Sequence, residues 1–188
     1  MDTVLQFKIT LKNSKPAIWR KFEIADHFTF YDLHLVIQNV MGWMNMHLYQ
    51  FIYEKHSIIG NPEMLEEEVA DDKELKLSEL FNAPKIKMIY EYDFGDGWEH
   101  QLLLEKIIKN APAGHQPVCI FGEMNCPPED CGGMPGFKDL LKVIKDQNHP
   151  EHEDMIEWIG EGYEADCFDL TVINDNLKNY KDIDMGFT

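Results

Sequence analysis

Basic residues are scarce in this sequence, and the shortage limits what the chain can bind. Seventeen Lys and Arg stand against 34 Asp and Glu in 188 residues, for a formal net charge of −17. The excess of acids lies in residues 61–80 and 121–170, with net charges of −6 and −10. Because Lys and Arg supply most nucleic-acid affinity, we expect no direct nucleic-acid binding. The only candidate basic face is near the N-terminus, formed by Lys8, Lys12, Lys15, Arg20 and Lys21.

Several other signals are missing as well. No apolar run approaches the roughly 20 residues that cross a bilayer, and the start MDTVLQFKIT has no basic segment before an apolar one. We therefore expect a cytoplasmic protein without membrane contact, whose four cysteines are reduced. Phosphate-binding glycine loops, dinucleotide fingerprints and G-x-S-x-G elbows are also absent, which argues against the common cofactor and serine-hydrolase classes.

The hydrophobic pattern changes along the chain from the period of strands to that of helices. Residues 3–12 alternate as a half-buried strand, and 17–24 read as a second strand. A helix is expected over 30–41, capped by Thr29 with Asp32 and ended by Gly42. The acidic segment 64–72 is expected to be an exposed loop. Helical stripes dominate after residue 137, and Pro150 is expected at the first position of one of these helices. The sequence predicts an α+β fold, in which helices pack on an antiparallel β-sheet built from hairpins and the C-terminal part is mainly helical. We expect one domain over 1–188, with a tail loosely ordered from about residue 181.

Residues 84–107 predict a hairpin whose register follows from its two faces. A three-residue loop, Gly95-Asp96-Gly97, pairs Phe94 with Trp98 and Tyr92 with His100, and makes one whole face apolar. Burial should select this register, because a one-residue slip would move every side chain to the other face. The same register sets Asp93 opposite Glu99.

Two metal sites are conceivable from this pattern. Asp93, Asp96 and Glu99 at the hairpin tip offer oxygen ligands for Mg²⁺, Ca²⁺ or Mn²⁺, although Asp96 can equally be a turn former while the others face water. Zn²⁺ would instead suit Cys126, Cys131 and His100, if these residues converge. No C-x-x-C pair supports a zinc ribbon.

Five segments together resemble one protein family: KPAIWRKFEI (15–24), MGW (41–43), YEYDFGDGWEH (90–100), CPPEDCGG (126–133) and HPEHEDMIEWIG (149–160). They are similar to the plasmid Ri open-reading-frame-three-like proteins from about residue 3 to residue 180. The resemblance implies a small α+β domain that occurs alone or attached to other modules. It supplies no catalytic residues. Some relatives carry resolvase or repressor-like labels.

Three functional interpretations follow. The first is a non-enzymatic binding or adaptor module that captures a protein partner through the loops 93–100 and 126–133. Its candidate contact residues are Trp98, His100, Glu129, Asp130 and Met134, with Trp98 and Met134 as apolar anchors.

The second interpretation is a divalent-metal-dependent hydrolase. Carboxylates of the same two loops would hold the ion and His100 would act as general base, provided that the loops meet in space. The third, a DNA accessory protein of mobile elements, follows from the family labels alone.

Overall fold

A computed structural model describes residues 1–54, 57–65, 68–160 and 162–183. The strands are β1 Asp2–Leu11, β2 Trp19–Ala25, β3 Tyr49–Tyr53, β4 Ser57–Gly60, β5 Ala70–Asp71, β6 Lys87–Tyr92, β7 Trp98–Ala111 and β8 Val118–Glu123. The helices are α1 Phe30–Met41, α2 Leu77–Leu80, α3 Gly133–Lys145, α4 His152–Ile159 and α5 Leu170–Leu177, followed by a 3-10 turn at Tyr180–Ile183. All eight strands form one sheet, in the order β5-β4-β3-β6-β7-β1-β2-β8. Among the described strands, only β4 and β5 pair in parallel. The α+β prediction is confirmed.

β7 and β1 are the longest strands and are neighbours in the interior of the sheet, and both present long alternating apolar faces. Phe7 and Ile9 of β1 and Leu102 and Leu104 of β7 have no exposed surface. Phe7 also makes an edge contact with Phe81, at 4.7 Å between ring centroids. The core is therefore continuous from the sheet to the segment around α2.

Helix α1 is placed by the capping signals that the sequence contains. The Thr29 side chain accepts a hydrogen bond from the Asp32 N–H, and the Asp32 carboxylate accepts one from the Thr29 N–H. Gly42 ends the helix in the left-handed conformation, with a φ of 86°. All but one of the helix residues are buried. This helix lies against the sheet, and the chain that leaves it at Gly42 carries part of the candidate site.

The hairpin register differs from the predicted one by two residues. Tyr92 pairs with Trp98 and Glu91 with Glu99, so that the loop spans residues 93–97. The faces of the paired residues were predicted correctly, because a shift of two residues keeps the side chains of β6 and β7 on their own sides. Phe94, which was predicted on the apolar face opposite Trp98, lies instead in the loop and is 42% exposed. The strand ends early because the Asp93 carboxylate accepts hydrogen bonds from the N–H groups of Gly95 and Asp96, at 3.0 and 3.3 Å. Asp93 thus belongs to the turn and does not face Glu99.

Two further details of the sequence interpretation need correction. The acidic segment 64–72 was expected to be an exposed loop, but it contains β5, and Asp72 is completely buried. The helix expected to begin at Pro150 begins at His152, with Pro150 in the preceding turn. Lys181 to Ile183, at the start of the tail, are helical, and residues 184–188 lie outside the described residues. Within the described ranges, no helix is long and apolar enough to cross a membrane.

Candidate metal centre

Three loops that are distant in sequence meet at one end of the hairpin: residues 43–47 after α1, the turn 93–97, and the segment 126–131 before α3. The Trp43 indole N–H donates to the Pro127 carbonyl at 3.0 Å, which joins the first loop to the third. The Asp96 carboxylate accepts a hydrogen bond from the Gly132 N–H at 3.1 Å, which joins the second loop to the third. The two sequence loops singled out for function are therefore in contact.

Gly133 makes this approach possible. A β-carbon at this position would lie 2.5 Å from the Asp96 carbonyl oxygen, and the residue has a φ of +65°. Only glycine satisfies both conditions without strain. Gly132 and Gly133 thus hold the segment 126–131 against the hairpin turn, and α3 begins at Gly133.

His47, Asp93 and Asp130 converge where the loops meet. Each offers one ligand atom, and these atoms all lie within 4.8 Å of one another. The His47 Nε2 atom is 3.0 Å from the Asp130 carboxylate and 3.8 Å from that of Asp93. Among the residues that the structure describes, this is the only group of three acids, histidines or cysteines close enough to share an ion. We call these three residues, with Glu129, the junction centre.

Glu129 completes the centre with one bonded and one unbonded oxygen. Its Oε1 atom accepts hydrogen bonds from the Met44 N–H at 2.8 Å and from the Tyr92 hydroxyl at 2.9 Å. Its Oε2 atom lies 3.7 Å from His47 Nε2. The side chain is only 9% exposed, and burial raises the pKa of the Glu129 carboxyl above its usual range. The bonds to Oε1 fix the direction of Oε2.

Two buried atoms of the junction centre have no hydrogen-bond partner: His47 Nε2 and Glu129 Oε2. The nitrogen is close enough to Asp130 for a hydrogen bond, but the direction of approach does not satisfy one. Buried polar atoms normally find a partner, so two unsatisfied atoms facing one point require an explanation.

A divalent cation provides that explanation. Ligand atoms that share a cation at about 2.0–2.2 Å are separated from each other by about 3.0–3.5 Å. The observed separations of 3.0 Å to Asp130 and 3.8 Å to Asp93 from His47 Nε2 are close to that range. A set of one imidazole and several carboxylates suits Zn²⁺ or Mn²⁺ better than Ca²⁺. The residues present therefore fit a single ion.

The predicted ligands Asp96 and Glu99 are placed elsewhere. Asp96 is used to bind the Gly132 N–H, and Glu99 forms an ion pair with Lys12 on the neighbouring strand, at 2.5 Å. Of the three carboxylates proposed for the hairpin tip, only Asp93 belongs to the group close enough to share an ion. Its partners come from the other two loops.

The predicted contact residues divide into two groups. Glu129 and Asp130 belong to the junction centre. Trp98 and His100 have no exposed surface, so neither can touch a partner or act as a base toward a substrate. Burial lowers the pKa of His100 to about 4, which keeps the ring neutral. Met134 is partly buried against the core and is not a free anchor.

The alternative zinc site at Cys126, Cys131 and His100 does not form among the described residues. The Cys126 sulfur instead accepts a hydrogen bond from the Arg20 guanidinium at 3.2 Å. Burial raises the pKa of the Cys126 thiol to about 11 and that of Cys131 to about 12. Both side chains are therefore thiols near neutral pH.

His47 was not found by sequence reasoning. It lies in the run MGWMNMH, with no acid or second histidine at ligand spacing. The available signal was its position four residues after the MGW segment, one of the five segments that carry the family resemblance. Only the folded chain brings it beside Asp93 and Asp130.

Comparison with known proteins agrees with the resemblance seen in the sequence. The family model described as "Plasmid pRiA4b ORF-3-like protein" matches residues 3–172. The uncharacterized protein y4hQ of Sinorhizobium fredii (strain NBRC 101917 / NGR234) is 29% identical over 174 residues, which cover 92% of this chain and 89% of that protein.

A solved structure agrees as well. The crystal structure of MM3350, a protein of unknown function from Methanosarcina mazei Go1, has a TM-score of 0.79 and 33% sequence identity. The match covers 91% of this chain and 97% of that one. Since the family model spans most of the sequence, this chain belongs to the plasmid pRiA4b ORF-3-like family.

Proposed function

We propose that the protein is a divalent-metal-dependent hydrolase whose ion is held by His47, Asp93 and Asp130. The observation that carries this proposal is the convergence of the three side chains on a point that also faces the unpartnered Oε2 atom of Glu129. Catalytic metal sites typically combine three protein ligands with an open position for water or substrate. Glu129 is the fourth group, and it has a free oxygen directed at that position.

The chain's own residues divide the chemistry between them. A bound cation would polarise a substrate oxygen and make an adjacent water more acidic. Glu129 Oε2 takes a proton as the water oxygen adds to the electrophilic atom of the substrate. The bond to the leaving group then breaks, and Glu129 returns the proton to that group. One water is consumed, and no oxidant or reductant is needed.

The first experiment measures metal binding directly. Isothermal titration of the chelator-treated protein with Zn²⁺, Mn²⁺, Mg²⁺ and Ca²⁺ should give one site, tightest for Zn²⁺ or Mn²⁺. Asp130→Asn should weaken that site by at least about 100-fold, because a direct ligand contributes more than an outer-sphere residue. Asp130 is well exposed, so this change should leave the fold intact.

A matched acid outside the centre serves as control. Glu157 is exposed on α4 and forms no hydrogen bond or ion pair that the structure describes, so Glu157→Gln should bind the ion like the unmodified protein. Hydrolysis of a mixed panel of ester, amide and phosphoester substrates should then require the ion and be lost in Glu129→Gln. Equal metal binding by Asp130→Asn and the unmodified protein would refute the assignment.

A second candidate function is a binding module, and the side chains around the junction centre support it. Met44, Met46, Leu48 and Phe94 are among the exposed large apolar residues, with 36–59% of each exposed. Their backbones form the loops of the centre: the Met44 N–H binds Glu129, and the Leu48 carbonyl accepts from the Asp93 N–H. Exposed apolar groups around a polar site are typical of an interaction surface. In this interpretation the ion fixes the loops and the apolar rim contacts a protein partner.

The two candidate functions differ in whether a cation that fills the centre but does not support catalysis is sufficient for function. Partner capture depends only on the shape of the loops, so any cation that fills the centre should support it. Hydrolysis also requires Glu129 as proton acceptor. Glu129→Gln should therefore lose hydrolysis but keep ion binding and partner capture. Unmodified protein that binds the ion and captures a partner, but hydrolyses no substrate of the panel, would favour the binding module.

A further inference from the structure

A groove between α3 and α4 opens directly beside the junction centre. It has a volume of about 290 Å³, and Asp130 belongs to both the groove and the centre. The groove is lined by Asp130, Cys131, Gly136, Asp139, Leu140, Val143, Glu151, Met155 and Trp158. When a ligand occupies the groove, the part of it that is nearest Asp130 lies next to the three residues proposed to hold the ion.

The walls of the groove combine apolar surface with negative charge. Leu140 and Val143 are buried below it, while Trp158 remains 48% exposed at its edge. The charged residues among its described lining, Asp130, Asp139 and Glu151, are all acids. Asp139 is paired with Lys142 at 2.6 Å, which leaves the Asp130 and Glu151 carboxylates without a basic partner from Lys or Arg.

The two helices form a rigid frame for this surface. The His152 ring nitrogen Nδ1 lies 3.0 Å from the Val143 carbonyl oxygen and fastens the start of α4 to α3. An exposed tryptophan over an aliphatic floor is the kind of side chain that dominates binding energy at interfaces.

The geometry points to a peptide segment as the occupant, with an aliphatic or aromatic side chain next to a lysine or arginine. This inference rests on the proposed hydrolase and names its substrate class, a basic peptide cleaved at an amide bond. The apolar side chain packs against Trp158 and the cationic one faces Glu151, the groove carboxylate that neither pairs with Lys142 nor belongs to the junction centre. Phosphoesters are disfavoured, because their charge would meet the net −10 of residues 121–170. The small volume accommodates one or two side chains, so the ligand must continue along the surface, as a peptide does.

Two matched peptides test the inference by binding alone. Ac-Gly-Leu-Arg-Gly-amide and Ac-Gly-Leu-Glu-Gly-amide are titrated into the full chain, and the indole N–H signal of Trp158 is followed by NMR. The basic peptide should bind at least about tenfold more tightly at low salt, and the difference should shrink at 0.5 M salt. Trp158→Ala and Glu151→Gln should each weaken the basic peptide at least about threefold. Glu157→Gln, on the same helix but outside the groove, should not.

The outcomes separate this inference from the metal centre. If Zn²⁺ or Mn²⁺ binds but the two peptides bind equally or leave the Trp158 signal unmoved, the groove is not a site for a basic peptide, and the metal centre is unaffected. If the basic peptide binds preferentially but no cation does, the hydrolase proposal is refuted. Peptide binding by the groove is then supported, and only its cleavage step is refuted. Trp158→Ala should retain the cation affinity of the unmodified protein, and a loss of both affinities would contradict two adjoining but distinct sites.

Discussion

Two histidines thirteen residues apart, His34 and His47, show how differently this protein treats buried polar groups. His34 has no exposed surface, and both ring nitrogens have partners: the Tyr90 hydroxyl at 2.9 Å and the Asn45 side-chain oxygen at 2.7 Å. Its ring also stacks on Tyr49, with centroids 3.4 Å apart. The Nε2 atom of His47, in contrast, faces three carboxylates and forms no hydrogen bond.

The contrast separates polar groups that hold the fold from those that are available for a ligand. The network around His34 also includes Gln38, whose amide donates to the Tyr90 hydroxyl and whose carbonyl accepts from the Asn45 N–H. A closed network of this kind stabilises one arrangement of the core. At the junction centre the same types of groups are held in place, but His47 Nε2 and Glu129 Oε2 form no hydrogen bond, as expected of side chains that face a ligand.

Substitution of each histidine in turn should give the largest difference between the two regions. His34→Ala leaves the Asn45 side-chain oxygen without its partner, removes one of the two hydrogen bonds of the Tyr90 hydroxyl and creates a cavity. It should therefore reduce the free energy of unfolding by about 3 kcal/mol. His47→Ala removes no hydrogen bond, and the metal-free variant should stay within about 0.5 kcal/mol of the unmodified protein. Urea unfolding of both variants measures the difference. Similar losses would mean that His47 is also structural.

Adding the cation should make the junction centre contribute to the stability of the fold, which it does not do in the metal-free protein. At a free Zn²⁺ or Mn²⁺ concentration 100 times the dissociation constant, binding should stabilise the fold by about 2.7 kcal/mol. For a domain of this size that corresponds to a rise in melting temperature of about 5–10 °C. The same rise should occur in Glu157→Gln and be absent in Asp130→Asn and His47→Ala. A rise that survives both substitutions would place the ion elsewhere.

A third experiment examines a buried carboxyl that lies in the interior and not at the junction centre. Asp72 is completely buried, accepts a hydrogen bond from the Tyr49 hydroxyl, and has one oxygen without a partner. Burial raises the pKa of this carboxyl, against the opposing effects of the Tyr49 bond and Lys73. The folded protein therefore keeps the Asp72 proton at pH values where the unfolded chain has lost it.

The sign of the pH effect follows from that difference. The contribution of Asp72 is fully present below the unfolded pKa of about 3.9 and declines as the pH rises through the higher folded pKa. Asp72→Asn keeps an acceptor for Tyr49 but cannot ionise, so its stability should fall less over this range than that of the unmodified protein. Urea midpoints from pH 3.5 to 7 give the comparison. Parallel curves for the variant and the unmodified protein would show that Asp72 titrates normally.

The sequence predicted the architecture better than the site, and the reason is the range of the interactions involved. Helix α1 and its caps depend on residues within one turn of each other, such as Thr29 and Asp32, and were predicted closely. The apolar face of the β6–β7 hairpin depends on alternation alone and was also predicted. Its register was not, because the Asp93 side chain ends the strand by bonding to the turn, a contact that alternation does not encode.

Three residues of the junction centre were among those singled out from the sequence. Asp93, Glu129 and Asp130 lie in the two loops whose meeting the hydrolase interpretation required, and the structure brings these side chains together around His47. His47 is separated from Asp93 and from Asp130 by more than 40 residues, and long-range contacts such as Trp43 with Pro127 and Met44 with Glu129 bring its loop to the others. Trp98 was misplaced because an aromatic residue near a loop is equally consistent with a surface anchor and with the core. The strand order decides between these alternatives, and no local pattern contains it.

The smallest effects are expected on the apolar rim of the junction centre, where they test the binding-module alternative. Phe94→Ser and Met46→Ser alter side chains that are 42% and 46% exposed, so each should change the free energy of unfolding by no more than about 0.5 kcal/mol. Neither side chain is among the three ligands, and cation affinity should also stay unchanged. If the rim contacts a partner, both variants should lose capture while keeping hydrolysis of a small substrate that does not reach the rim. Phe121→Ala, an exposed aromatic on β8, is the matched control. Loss of cation affinity in Phe94→Ser would instead show that the rim holds the loops of the centre in position. The rim would then belong with the residues that hold the fold, and not with those that are available for a ligand.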